Sequence, residues 1–119
     1  FERTGPFNQS VCFPERVEQM DWFNGNPYTY YSGGDYGMAT VTNHNNPNGP
    51  RIVLLRESFS CALAPFLALS CSELTTIDLR YYQGDLMETL EALEPDLVMT
   101  MYAASSTGLE NMFAFEGTE

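Results

Sequence analysis

In the stretch IVLLRESFSCALAP, residues 52–65, an apolar β-branched run stops abruptly at Arg56 and Glu57, then gives Ser58 and a set of helix-forming residues. The pattern predicts a strand that delivers Ser58 to the start of a helix. Backbone N–H groups in a first helical turn lack intrahelical partners. A hydroxyl beside them is suited to be a nucleophile with an oxyanion pocket next to it. Ser58 is therefore the candidate nucleophile and Glu57 its neighbour in the site. The plainer reading is a serine that caps the helix, a position serine favours, with Arg56 and Glu57 a solvated pair at the strand end.

Ligands of parallel α/β sheets bind beyond the carboxyl ends of the strands. That rule gathers three sets of candidates: Arg56, Glu57 and Ser58; Arg80, Tyr81 and Tyr82; and Tyr102 with Ser105 and Ser106. A hydroxyl, a guanidinium and a phenol converging on a small carbonyl-containing or anionic group suit acyl transfer, with Arg80 and Tyr102 lining the site. In the plainer reading Arg80 pairs with a surface carboxylate and the tyrosines fill the sheet edge.

A serine nucleophile needs a histidine base oriented by a carboxylate. The one histidine, His44, lies in an Asn-rich loop ahead of the strand, with Asp35 nine residues upstream, and reads as a solvated loop residue. RESFS lacks the glycines of a G-x-S-x-G elbow. SGGDYG at 32–37 has neither the spacing of a phosphate-binding loop nor a helical pattern behind it, and no Cys/His pair has ligand spacing. No metal and no cofactor are expected.

The elements that must position these residues begin at Arg51. Strands are predicted over 51–55, 74–79 and 97–102, with helical segments over 58–69 and 85–93: a parallel β-α-β-α-β unit with crossover connections. Pro65 should divide the first helical segment into two short pieces. The second is marked by Asp85 and Glu88 at capping-box spacing, a Leu86, Leu90 and Leu93 stripe, and Pro95 beyond it. Met99 and Met101 are expected in the core. Residues 1–50, rich in Pro, Gly, Asn and aromatics, read as loops with short strands, one of them over 39–42. The whole is expected to be one domain, and a partial one, because three parallel strands are few for a stable sheet.

Five arginines and no lysine stand against 16 acidic residues, for a formal charge of −11. Nucleic acid and anionic membrane surfaces are repelled by such a chain. No run approaches the roughly 20 apolar residues that cross a bilayer. The chain starts at Phe1 without a basic, apolar signal segment and reads as a mature or truncated piece. Cys12, Cys61 and Cys71 are expected to be buried free thiols. On a regular helix the last two would lie about 15 Å apart, too far to bridge.

The blocks GGDYGMATVTN, NPNGPRIVLLRESFSCALAPFL, SELTTIDLRYYQGDL and PDLVMTMY, within residues 28–103, resemble the C-terminal half of the DHHW proteins. These are SGNH-hydrolase-like proteins related to alginate O-acetylation proteins. The resemblance implies a flavodoxin-like three-layer α/β/α sandwich, an extracytoplasmic place in the cell envelope or outside it, and O-acetyl transfer or esterase action on cell-surface polysaccharide. Ser58 then matches the block I serine, and Arg80 and Tyr102 match polar residues that line related sites. Two departures stand out. Glu57 replaces the aspartate that precedes the serine in the family, carrying the carboxylate about 1.5 Å further. The D-x-H-W motif, which supplies the family's Asp and His upstream of the serine, is absent from these residues.

The resulting expectation is a serine-bearing portion of an acyltransferase or esterase, at most weakly active alone, whose partners are a polysaccharide or an acyl-donor protein. The alternative is a non-catalytic module that binds glycan or an envelope protein through Trp22, Phe23, Tyr28, Tyr30 and Tyr31. A third is a homo-oligomer paired through the incomplete sheet edge.

Overall fold

The structure, a computed structural model, describes residues 2–19 and 26–104; Trp22, Phe23, Ser105 and Ser106 lie outside them. Two short helices, α1 (Phe7–Ser10) and α2 (Pro14–Glu18), and a 3₁₀ turn at Pro27–Tyr30 precede the first strand. Then come β1 (Met38–Thr42), β2 (Arg51–Arg56), a 3₁₀ turn (Ser58–Cys61), α3 (Ala64–Ala68), β3 (Glu73–Ile77), α4 (Leu86–Leu93) and β4 (Leu97–Met101). The four strands form one sheet in the order β1-β3-β2-β4.

The expected parallel unit from residue 51 is present. β2 pairs in parallel with β3, Ile52 opposite Leu74, and with β4, Ile52 opposite Leu97. β1 joins the outer edge of β3 antiparallel, Met38 opposite Ile77, so the sheet as a whole is mixed. The fold is mixed α/β.

Side chains alternate across a strand, and β2 serves two cores accordingly. Ile52 and Leu54 pack with Leu74, Cys71 and the α3 residues Ala64 and Ala68. Val53 and Leu55 pack on the other face with Ile77 and Leu86, bordered by Leu90 and Leu93 of α4. A strand buried on both faces must be apolar throughout, which is why IVLL has no alternation. Asp85 caps α4 as its spacing predicts, its Oδ1 accepting from the Glu88 N–H at 3.0 Å. The helix ends with Glu94 in the left-handed region, φ 45°, followed by Pro95.

The 58–69 segment is divided into two short pieces, as expected: a 3₁₀ turn and a five-residue helix. Pro65 sits in the first turn of α3, where its missing N–H would have had no partner. Two expectations need correction. Met101 is exposed, and Met99 alone of the pair packs against the core. Arg56 and Glu57 are buried rather than solvated. The three cysteines are free and buried, as expected.

Candidate functional site

Because β2, β3 and β4 are adjacent and parallel, their carboxyl ends lie on one edge of the sheet. Ser58 stands there, one residue past Glu57, partly exposed at the start of the 3₁₀ turn. Its Oγ has no hydrogen-bond partner among the described residues, and neither do the backbone N–H groups of Ser58 and Phe59. The next amide is occupied: Ser60 N–H donates to the Glu57 carbonyl at 3.0 Å. A hydroxyl and two N–H groups without a partner among the described residues, in one turn, are the nucleophile and oxyanion-binding parts of an acyl-transfer site.

The turn is braced from both sides. Towards β4, Glu57 Oε1 accepts from the Ala103 N–H at 2.5 Å, and Ser60 Oγ donates to the Met101 carbonyl at 3.4 Å. The longer side chain of Glu57 therefore reaches across to the segment after β4, a bond that a shorter aspartate at this position would have difficulty making.

Towards β3 and the 31–37 loop, a chain of charges lies beneath the turn. Arg56 is 1% exposed. Its Nη1 donates to Asp35 Oδ1 at 3.1 Å and to Cys61 Sγ at 3.0 Å, and its Nη2 donates to the Gly34 carbonyl at 3.1 Å. Asp35 Oδ2 faces Arg80 Nη2 at 3.6 Å. Arg80 grips Asp78 in a two-pronged pair, Nε to Oδ1 at 2.9 Å and Nη2 to Oδ2 at 2.6 Å. Asp78 is fully buried, and the two acids bound to Arg80 hold its guanidinium in the charged form, raised above its ordinary value chiefly by the Asp78 hydrogen bonds. Burial pushes the Cys61 thiol up to about 11, with Arg56 opposing and Asp35 adding to the shift, so it stays protonated near neutral pH and is no rival nucleophile.

Of the residues singled out from the sequence, Ser58, Glu57, Arg80 and Tyr102 all lie at this edge. Arg80 is engaged with Asp78 and Asp35. Tyr102 packs against the Val53, Leu55, Ile77 and Leu86 core, where burial raises its phenol pKa despite a hydrogen bond from the backbone of Leu79. Tyr81 lies under the Arg80 guanidinium and Tyr82 bonds Thr89. His44 is exposed at the opposite end of the sheet, next to Arg51 and Glu73. The length of β2, about 20 Å for six residues, separates it from Ser58. A cavity of about 640 Å³ runs along β1 beside Glu2–Gly5 and does not include Ser58.

Sequence reasoning missed Asp78 and the roles of Asp35 and Cys61. Asp78 and Arg80 have the i, i+2 spacing that puts two residues on one side of an extended segment; that signal was present in IDLR. Nothing local ties Asp35 to Arg56. Among the described residues no group of three His, Cys, Asp or Glu side chains gathers as metal ligands would.

Solved structures share the mixed α/β fold of this chain. Bacillus cereus PatB1 superposes with a TM-score of 0.67 at 29% identity, over 76% of this chain and 30% of PatB1. PatB1 carrying a sulfonyl adduct matches with a TM-score of 0.65 over 74% of this chain. A DHHW family protein from Eubacterium siraeum matches with a TM-score of 0.64 at 21% identity, over 84% of this chain and 34% of its own. The DHHW resemblance read from the residue blocks thus has its counterpart among the structural neighbours. The chain spans about a third of their length. No family model matches the sequence, and no curated relative does.

Proposed function

We propose that this chain is the serine-bearing part of an SGNH-like acyl-transfer protein that moves an acetyl or similar acyl group to a hydroxyl of cell-surface polysaccharide, or hydrolyses such an ester. The observation that carries this reading is the Ser58 Oγ beside the N–H groups of Ser58 and Phe59, all three without a hydrogen-bond partner among the described residues, on a turn held by buried charges. Ser58 Oγ attacks the acyl carbonyl and its proton passes to a base. The two N–H groups receive the charge on the carbonyl oxygen; the tetrahedral adduct collapses as its bond to the donor's leaving group breaks, the base returns the proton to that group, and the acyl–serine ester then passes its acyl group to a sugar hydroxyl or to water. Support comes from PatB1, a 29% identical neighbour that has been solved with a sulfonyl adduct, since sulfonylation traps an activated nucleophile. An extracytoplasmic location and the three-layer SGNH sandwich belong to the same reading. With His44, the one histidine of the sequence, at the far end of the sheet, no histidine base stands beside Ser58 among the described residues, and removing a base from such a unit costs several orders of magnitude in rate.

A second reading, a glycan-binding module without catalysis, is favoured by one feature. Phe59, next to Ser58, is exposed and its ring meets Tyr28 edge-on at 5.3 Å, a surface suited to the C–H face of a sugar. Intact-mass analysis after exposure to a fluorophosphonate separates the two. One adduct that disappears in Ser58→Ala supports the nucleophile. No adduct on the natural gene product that contains this sequence, together with glycan binding lost in Phe59→Ala, supports the module.

A further inference from the structure

β1 ends the sheet, and its outer edge opens into the cavity of about 640 Å³ that Glu2–Gly5 also line. Bonds at both ends of the strand show which way each residue turns. The Gly37 carbonyl accepts from the Asp78 N–H at 3.0 Å, and the Asn43 N–H donates to the Ser72 carbonyl at 2.8 Å. Opposed residues of an antiparallel pair alternate between bonded and unbonded positions. With Met38 opposite Ile77, Ala39 and Val41 therefore bond to β3. Met38, Thr40 and Thr42 turn their N–H and C=O groups outward, where no hydrogen bond holds them among the described residues. The strand reads MATVT, without the charge, proline or bulge that ordinarily blocks strand addition.

We propose that this edge takes an extended, basic segment of a partner protein, which pairs with β1 as an added strand about 4.8 Å away. Val41 packs on the same core as Ala64, and both line the cavity with Phe13, so one face of the added strand meets apolar surface. Its other face runs beside the exposed side chains of Met38, Thr40 and Thr42, where polar residues are accommodated. Apolar and polar residues therefore alternate along the segment. Its charge is set by the wall opposite β1. Arg3 is paired with Glu15 at 3.1 Å and stacked over the Phe13 ring, whereas the exposed Glu2 has no ion pair among the described residues. An unmatched carboxylate on a chain of net charge −11 attracts Lys or Arg and opposes a second copy. β1 is two strands away from β2, and the proposal stands apart from the Ser58 reading.

Amide hydrogen exchange over residues 36–44 of the natural gene product that contains this sequence tests the proposal, with its mass in solution measured alongside. The probe is a capped synthetic peptide in which valine alternates with lysine and threonine. Without it, the Ala39 and Val41 amides should exchange slowly and those of Met38, Thr40 and Thr42 fast. At ten times the dissociation constant of the peptide, the latter three should slow about tenfold. A peptide of the same charge with prolines at alternate positions should protect none of them, and Glu2→Lys should weaken the lysine peptide about fivefold. Thr40→Pro removes an outward donor and no bond to β3, so it should keep the fold and abolish the protection. Three results overturn the proposal. Equal binding of the proline peptide would mean attraction by charge alone. Protection of the three amides in the monomeric gene product without peptide would mean that its own chain covers the edge. Protection that rises with concentration alongside a dimeric mass would assign the edge to a second copy.

Discussion

Asp35 accepts a hydrogen bond from the buried guanidinium of Arg56 at 3.1 Å, joining the glycine-rich loop to the residue two before Ser58. Its other oxygen faces Arg80, so one carboxylate balances two cations at the base of the serine turn. Removing one member of a buried pair leaves the other charged and uncompensated, which costs about 3 kcal/mol or more. Asp35→Asn should lower unfolding free energy by about that amount in urea titrations. Glu73→Gln breaks the half-exposed Arg51–Glu73 pair and should cost less than about 1 kcal/mol. Equal effects from the two would mean that the buried network contributes no more than a surface pair.

Glu57 makes its 2.5 Å bond to the Ala103 N–H only because its carboxylate lies one methylene further out than that of an aspartate. Glu57→Asp should leave that partly buried donor without its partner and cost about 1 kcal/mol. Glu57→Gln keeps an oxygen acceptor and should cost less. The Ala103 amide proton, followed by NMR, should shift upfield in Glu57→Asp; an unmoved resonance would show that the bond does not persist in solution.

The alternation of strands and helices from residue 51 was legible because parallel-sheet strands, a capping aspartate and Pro95 leave local marks. The serine's place at the carboxyl edge followed from them. The ion network was not legible. It joins Asp35 to Arg56 and Arg80 across 21 and 45 positions of sequence, and no local pattern encodes which carboxylate meets which guanidinium. The burial of Arg56 and Glu57 was hidden for the same reason, since charges at strand ends are ordinarily solvated and only their distant partners make burial tolerable. The division of the 58–69 segment into two short pieces was legible because Pro65 cannot sit inside a helix without losing a backbone donor.

Glu94 ends α4 at φ 45°, a conformation that strains a residue with a Cβ, and it is exposed. Glu94→Gly relieves that strain at the position where glycine is favoured and should raise stability by about 0.5–1 kcal/mol, read as a higher denaturation midpoint. Gly33 is the converse. Its φ is +76°, and a Cβ there would meet the buried Phe13 ring at 2.9 Å. Gly33→Ala should destabilise by about 2 kcal/mol, from backbone strain and displacement of the ring together.

Cys61 gives the fold a sensitivity to alkali. Its thiol is raised from 9.0 to about 11, chiefly by burial. A group that holds its proton more tightly when folded than when unfolded contributes fully below its unfolded pKa. That contribution is lost as pH climbs through the folded one. Unfolding free energy should therefore be flat with respect to this group below pH 9 and fall between pH 9 and about 11, by at most about 2 kcal/mol. Cys61→Ala removes the titrating group and should flatten that limb, although it costs stability at every pH through the lost packing and the Arg56 contact. The comparison to make is the slope in that window, measured by urea unfolding at closely spaced pH values. An unchanged slope in Cys61→Ala would assign the alkaline loss to other groups, with the buried phenol of Tyr102, raised in the same direction, the next to examine.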